Sequence, residues 1–392
     1  QMLFFAAVCS FSIYYMARWN IHIAGRIIIA VYYAVSPLFG MFSITLGKDC
    51  WESSFLLLYI IFLIEIYLNR ERFFKSPKSL LLFSGVILGM FFFKQIGFYI
   101  FLFSIPFVFA VAKKYWKKLI IITVGCVAVF LIIEGPVLKS LGISNSEQSA
   151  ALSIPLQQIA RIVKDDEAKL SEQEKQTIDE ILPYDELPEL YVTWISDPVK
   201  VAFNEDQYNT DKKKYMTLWF QLVAKHPKTA LIATLANSYG YWYPDTLYPL
   251  NGDYRYYFGA RQSMKYLTDL PTIDLTIPSG QDANYIPAVS NSAQHVLNTS
   301  IRKVPVVSML FSIVFQYWIA IVCALVCMLK KRWGMLLPII ALFVLWLTNI
   351  SSPLYAEFRY AAAAFICLPT IIAFSFQDSV GLLQMPKKKK QC

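Results

Sequence analysis

Charge is scarce in this chain. Only 16% of its 392 residues are Asp, Glu, Lys or Arg, against about a quarter in ordinary soluble domains. Together with high apolar content, that shortfall excludes a disordered chain and a conventional soluble enzyme. Histidine is nearly missing: His22, His226 and His295 are the three copies. No HExxH motif occurs, so zinc hydrolysis lacks its usual ligands. Seven cysteines, none of them between 139 and 303, with no paired CxxC, exclude a disulfide-stapled scaffold. The glycine-rich phosphate loops of P-loop and Rossmann proteins are also absent, which leaves ATP-driven transport without support in this chain.

Apolar residues are abundant instead. They make up 56% of the chain, and the mean hydropathy is +0.46. A bilayer-crossing helix needs about 20 mostly apolar residues. Nine stretches approach that pattern: Met2–Ala17, Ile23–Leu46, Cys50–Leu68, Ser79–Phe93, Ile96–Ala112, Leu119–Leu138, Val304–Leu329, Trp333–Ile350 and Phe358–Phe376. The fourth and fifth meet at Lys94-Gln95 and read as two helices joined by a tight turn, because one helix of that length would overshoot the bilayer. The expected fold is an all-α polytopic membrane protein.

Basic residues gather in every second loop. Arg18 and Arg26 lie in the first, Arg70, Arg72, Lys75 and Lys78 in the third, and Lys113, Lys114, Lys117 and Lys118 in the fifth. Lys330, Lys331 and Arg332 follow the seventh span, and Lys387 to Lys390 the last. The positive-inside rule makes these loops cytoplasmic. Residues 1–138 then form an N-terminal bundle of six spans, 139–303 an extracytoplasmic domain, 304–377 a bundle of three spans, and 378–392 a basic cytoplasmic tail. The basicity lies at the cytoplasmic lipid surface, since 139–303 is net acidic. The distribution indicates a lipid bilayer as partner and no nucleic acid. Gln1 falls on the outer side, so at least one span and an outer loop are expected before it.

The outer domain reads as mostly helical. Ser171-Glu172-Gln173-Glu174 has capping-box spacing, with Pro183 as the stop. Lys212–Lys225 places Tyr215, Leu218, Trp219 and Leu222 on one helical face. Pro227 suits the first turn of the next helix. An aromatic run from Tyr239 through Tyr241, Trp242 and Tyr243 to Tyr257 fits either a membrane-interface belt or a platform for sugar rings. Residues 268–290 read as irregular.

Two clusters carry chemistry. Gly47-Lys48-Asp49-Cys50-Trp51-Glu52 lies in a short outer loop. A carboxylate there can serve as base or metal ligand, and an ammonium can bind phosphate. The plainer alternative makes Asp49 a helix cap, with Glu52 completing the first turn. The second cluster is Tyr355-Ala356-Glu357-Phe358-Arg359-Tyr360. The planar guanidinium of Arg359 suits a phosphate or carboxylate; a pair with Glu357 or a lipid headgroup is the alternative. Lys94, at the third outer turn, snorkels or joins the same pocket. Glu134 and Glu65 are acids within apolar runs: Glu134 is placed to reach water, and Glu65 to pair with Arg70.

The Lys-Asp loop, the large outer domain and the Phe358-Arg359-Tyr360 entry together resemble the GT-C superfamily of multi-pass glycosyltransferases, which includes protein mannosyltransferase-like and aminoarabinose transferase-like groups. Ala151–Arg161 and Tyr239–Pro244 are most similar to a Gram-positive branch of GT-C-like proteins defined by a domain of unknown function. The resemblance implies a GT-C-like helical bundle and a sugar donor on polyprenyl phosphate, delivered to a cell-envelope glycan or lipid acceptor. It implies Asp49, with Glu52 second, as the catalytic carboxylate or the ligand of a divalent metal. Lys48, Lys94 and Arg359 would bind the donor phosphate, and Tyr241 and Trp242 the acceptor. The superfamily's first acidic outer loop would fall before Gln1. A surface-glycan polymerase or ligase, or a non-catalytic membrane transporter or assembly protein, stays open as an alternative.

Overall fold

The computed structural model describes residues 1–44, 47–142, 151–193, 195–243, 309–351, 356 and 358–377. Regular structure among these residues is helical, apart from an isolated bridge between Val192 and Ile195. The first group of helices is α1 Met2–Arg18, α2 Ile23–Val35, α3 Pro37–Ile44, α4 Lys48–Lys75, α5 Pro77–Phe93, α6 Gln95–Val111 and α7 Trp116–Ile132. Then come α8 Ser153–Asp166, α9 Glu172–Asp179, α10 Leu187–Leu190, α11 Asp197–Val201, α12 Glu205–Thr210, α13 Lys212–Lys225 and α14 Pro227–Ser238. The last three are α15 Ile313–Leu329, α16 Leu337–Ser351 and α17 Phe358–Phe376. The chain divides into two compact units, Gln1–Gln148 with Gln316–Cys392, and Ser149–Phe315.

The first unit is an apolar helical bundle built around α4, which packs against α1, α5, α16 and α17. Burial separates centre from rim: 72% of the apolar window of α4 and 78% of that of α17 is buried, against 17% for the helix containing α7. Four described helices are long and apolar enough to cross a membrane: Lys48–Lys75, Lys113–Ser140, Trp333–Ser351 and Phe358–Phe376. These apolar helices make the protein a multi-pass membrane protein. Other apolar stretches form 17-residue helices, α1, α5, α6 and α15. At 1.5 Å per residue each is about 25 Å long, short of the roughly 30 Å hydrocarbon core.

The second apolar stretch is not continuous. It breaks into α2 and α3, bent by 60°. Pro37 supplies no backbone N–H, and the residue before a proline is pushed out of the helical region. Ser36 accordingly sits at φ −62°, ψ 117°. The sixth stretch carries a π turn at Ile133–Val137, around Pro136. At Lys94 the chain turns between α5 and α6 in a single extended residue, φ −159°, ψ 132°, the two-helix arrangement expected there.

The second unit is a layer of short amphipathic helices over one core. Leu156, Ile159, Ile162 and Val163 of α8 meet Ile178, Tyr215, Leu218, Leu222 and Ala230. The Ser171–Glu174 capping box forms. Tyr215, Leu218 and Leu222 are the buried face of α13, and Pro227 opens α14. The aromatic residues from Tyr248 to Tyr257, residues 268–290, Glu357 and the basic tail lie outside the described residues.

Candidate functional site

The first turn of α4 does not cap itself. Gly47 is the N-cap residue, and no side-chain cap hydrogen bond forms there among the described residues. Asp49 is directed elsewhere: its Oδ1 accepts from Lys94 Nζ at 2.7 Å. Side-chain exposure is only 9% for Lys94 and 18% for Asp49, so this ion pair is largely secluded from water. Seclusion of that kind stabilises the bundle little but makes loss of either partner costly.

Local structure explains why Lys94 reaches Asp49. The turn between α5 and α6 is closed by Lys94 N–H donating to the Met90 carbonyl and by Gly97 N–H donating to the Lys94 carbonyl at 2.9 Å. A Cβ on Gly97 would lie 2.4 Å from the Met90 carbonyl oxygen, so this turn requires glycine. Trp51, one turn from Lys48, stacks on Phe93 at 5.1 Å between ring centres, and on Phe4 at 4.9 Å. That stack ties the start of α4 to the end of α5.

Lys94 also lies over the Tyr360 ring, with Nζ 5.1 Å from its centre. Arg359 lies over the same ring, with Cζ at 4.5 Å, and donates to the Tyr360 hydroxyl. One aromatic ring therefore links two cations from distant parts of the sequence, and both interactions draw on its electron-rich face. The Tyr360 carbonyl accepts from Asn349 Nδ2 at 3.1 Å, and the same amide donates to the Tyr317 hydroxyl at 2.9 Å. This network holds the entry of α17 against α16 and α15.

Glu52 lies one turn beyond Asp49. It is 2% exposed, and its Oε1 has no hydrogen-bond partner among the described residues. Lys94, Asp49, Tyr317 and Cys367 are all within its electrostatic reach. Lys48 is exposed on the same turn as Asp49. The structure thus brings Asp49, Glu52 and Lys94 together and joins Arg359 to them through Tyr360. Asn349 and Tyr317 were not among the residues singled out from sequence, and Tyr360 was named only within its cluster, with no role of its own. Asn349 carried a readable signal, an amide inside an apolar run; Tyr360 had none beyond its neighbour.

Other sequence candidates land elsewhere. Tyr241 and Trp242 belong to the second unit, where Tyr241 is fully buried. Trp242 is half-buried and donates from Nε1 to Ser238 Oγ at 3.4 Å. Glu65 does not pair with Arg70, as expected from their spacing. It accepts from Trp19 Nε1 at 2.7 Å and Asn69 Nδ2 at 3.2 Å, while Arg70 donates to the Val111 carbonyl. Arg70 lies five residues on, beyond the i+3 and i+4 positions that share a helix face, whereas Asn69 is in register. Glu134 is half-buried in the π turn.

A divalent metal finds a poor donor set here. No group of three or more His, Cys, Asp or Glu converges among the described residues. Asp49 is engaged by an ammonium, and Glu52 alone is left beside it.

No curated protein and no solved structure matches the chain. A family model covers residues 1–388, nearly the whole sequence, and the protein belongs to that family, DUF6020, a family of unknown function.

Proposed function

We propose that the Asp49–Lys94–Tyr360–Arg359 network is the active site of a GT-C-type glycosyltransferase on the extracytoplasmic face of the cell membrane. The enzyme would move a sugar from polyprenyl phosphate to a cell-envelope glycan or lipid. The observation carrying this reading is the pairing of two cations on one ring with two carboxylates, at one end of α4. A lipid-phosphate donor needs that combination. Its tail requires apolar helices, its phosphate requires cations, and the attacking hydroxyl requires a base.

In the reaction the acceptor oxygen forms a bond to the anomeric carbon while the bond from that carbon to the phosphate oxygen breaks. The electron pair leaves with the phosphate, where Lys94 and Arg359 offset the added negative charge, with Lys48 on the exposed side. The acceptor proton passes to a carboxylate, Asp49 first, with Glu52 second. Tyr360 fixes the spacing of the two cations. Tyr241 is fully buried and offers no open ring face to an acceptor. By the positive-inside rule this end of the bundle would lie outside and the C-terminus in the cytoplasm.

The test is release of polyprenyl phosphate, with sugar transfer, by the purified chain in lipid nanodiscs. Turnover lost in both Lys94→Ala and Arg359→Ala while the protein stays folded supports the assignment. Wild-type turnover in both, or no turnover with any polyprenyl-phosphate sugar, defeats it.

A further inference from the structure

In the second unit, α9 and α13 run antiparallel and are braced at both ends. Glu174 meets Lys225 at 2.8 Å near one end. Glu180 meets Lys214 and accepts from the Tyr215 hydroxyl, the latter at 2.6 Å, near the other. The walls are fixed locally too, by the Ser171 capping box and by Asp211, which caps α13 through the Lys214 N–H at 3.0 Å. Between the braces lies an open cleft of about 600 Å³.

The lining is polar and regular. Gln173 and Thr177 of α9, and Lys213, Thr217 and Gln221 of α13, each follow a four-residue spacing, so each row occupies one helix face. Leu218, buried in the core beneath, closes the floor. Formal charges cancel, with Glu174 and Asp211 against Lys213 and Lys214. Three of those four are engaged within the unit: Glu174 by Lys225, Lys214 by Glu180, and Asp211 by its cap. Lys213 keeps an exposed ammonium, and uncharged groups make up the rest of the lining. The side chains of Gln173, Thr217 and Gln221 bond to no described residue. Thr177 donates its hydroxyl proton to the Gln173 carbonyl at 2.8 Å, which leaves its oxygen as an acceptor.

We infer that this cleft binds a neutral, hydroxyl-rich ligand, a short segment of saccharide. Amides and hydroxyls at helical spacing offer donors and acceptors in alternation, as a row of sugar hydroxyls requires. The volume is that of an ordinary ligand site. A lining without net charge gives no attraction to phosphate or polyanions. The inference stands on residues of the second unit alone and goes beyond the reading of the membrane site.

Neutral tetrasaccharides of glucose, mannose, galactose and N-acetylglucosamine, titrated into the full chain in nanodiscs, test it by saturation-transfer NMR and calorimetry. At least one should bind, with an affinity insensitive to salt. The double variant Gln173→Ala, Gln221→Ala should weaken that binding tenfold or more. Thr217→Trp, which fills the cleft from an exposed position, should abolish it. Arg359→Ala should leave it unchanged, which separates this inference from the transferase reading. Three results overturn it: no binding of any of these sugars at millimolar concentration, binding that survives both cleft variants, or binding restricted to charged glycans and steeply salt-dependent.

Discussion

The two ends of α4 bury a carboxylate each and treat it in opposite ways. Glu65 has both oxygens bonded, one to Trp19 and one to Asn69. Its partners are neutral, and they join α1 to α4. Glu52, about 20 Å away along the helix at 1.5 Å per residue, has an oxygen with no partner among the described residues. Its neighbours are an ion pair and a second cation held on a shared ring. A buried polar group without a bond costs about 1–3 kcal/mol. The fold satisfies one carboxylate and leaves the other with an unbonded oxygen, which is the pattern the proposed site at that end requires.

The largest effect expected from this contrast is on turnover. Arg359→Ala should lower it roughly a hundredfold, because losing one preorganised donor to a leaving phosphate commonly costs about 3 kcal/mol at the transition state. Arg359→Lys should lose less, since charge survives and only the planar fork is gone. Asp49→Asn should also lose turnover while donor binding persists. Glu65→Gln should leave turnover near wild type. If Glu65→Gln proves as damaging as Arg359→Ala in the same assay, the two ends are not distinct.

At the Glu65 end the effect is on stability. Glu65→Ala leaves the Trp19 indole N–H and the Asn69 amide without their acceptor, and should cost about 2 kcal/mol by the usual price of orphaned buried donors. Glu65→Gln keeps one acceptor oxygen and should cost less. Thermal unfolding in nanodiscs reads both. Gly97→Ala acts on the opposite end through the backbone. Its Cβ collides with the Met90 carbonyl, so the turn must open and carry Lys94 away from Asp49, at a cost of about 1–3 kcal/mol and with loss of turnover. A Gly97→Ala variant with an intact turn and full activity would show that Lys94 is not positioned by this close approach.

Glu52→Gln should have the opposite sign. Removing a buried carboxylate that is not fully bonded relieves desolvation, so stability should hold or rise by about 1 kcal/mol while turnover falls. A clear loss of stability in this variant would make Glu52 a structural group like Glu65.

Much of this architecture was legible from pattern. Apolar runs located the helices, and the Lys94-Gln95 break located the turn, because both depend on local composition. The capping box at Ser171 and the apolar face of α13 were readable for the same reason. The kink at Ser36 was not inferred, although Pro37 was in plain view: a long apolar run outweighed one breaker. The site was half legible. Asp49, Lys94 and Arg359 stand out as charges at the ends of apolar runs. Their connection through Tyr360, the Asn349 bridge and the Glu52 Oε1 left without a partner among the described residues are properties of packing between distant segments, and no spacing rule encodes them. Glu65 was misassigned to Arg70 for the same reason, since its main partner, Trp19, lies 46 residues away.

The carboxylates of the second unit sharpen the contrast with a third setting, solvent, where the effect should be smallest. Hydrogen bonds from Lys214 and then Tyr215 hold the Glu180 carboxyl below its ordinary value of 4.5. Asp166, held by Lys169 and Thr229, is lowered to about 2. For a carboxyl with a depressed folded value, the folded state binds fewer protons than the unfolded state. The stabilisation is therefore complete above the ordinary value and is lost as pH falls through the folded one. The brace between α9 and α13 should hold at neutral pH and loosen only below about pH 4.5. Both side chains of the Lys214–Glu180 pair are more than one-third exposed, so solvent screening keeps the contribution small. Amide exchange in α9 and α13, corrected for the intrinsic pH dependence, should rise modestly across that window and stay flat above it. Lys214→Met should remove the Glu180 part of the response. Loosening that begins well above pH 5, or that persists unchanged in Lys214→Met, would assign the response to other groups and leave the brace without a role in holding the cleft.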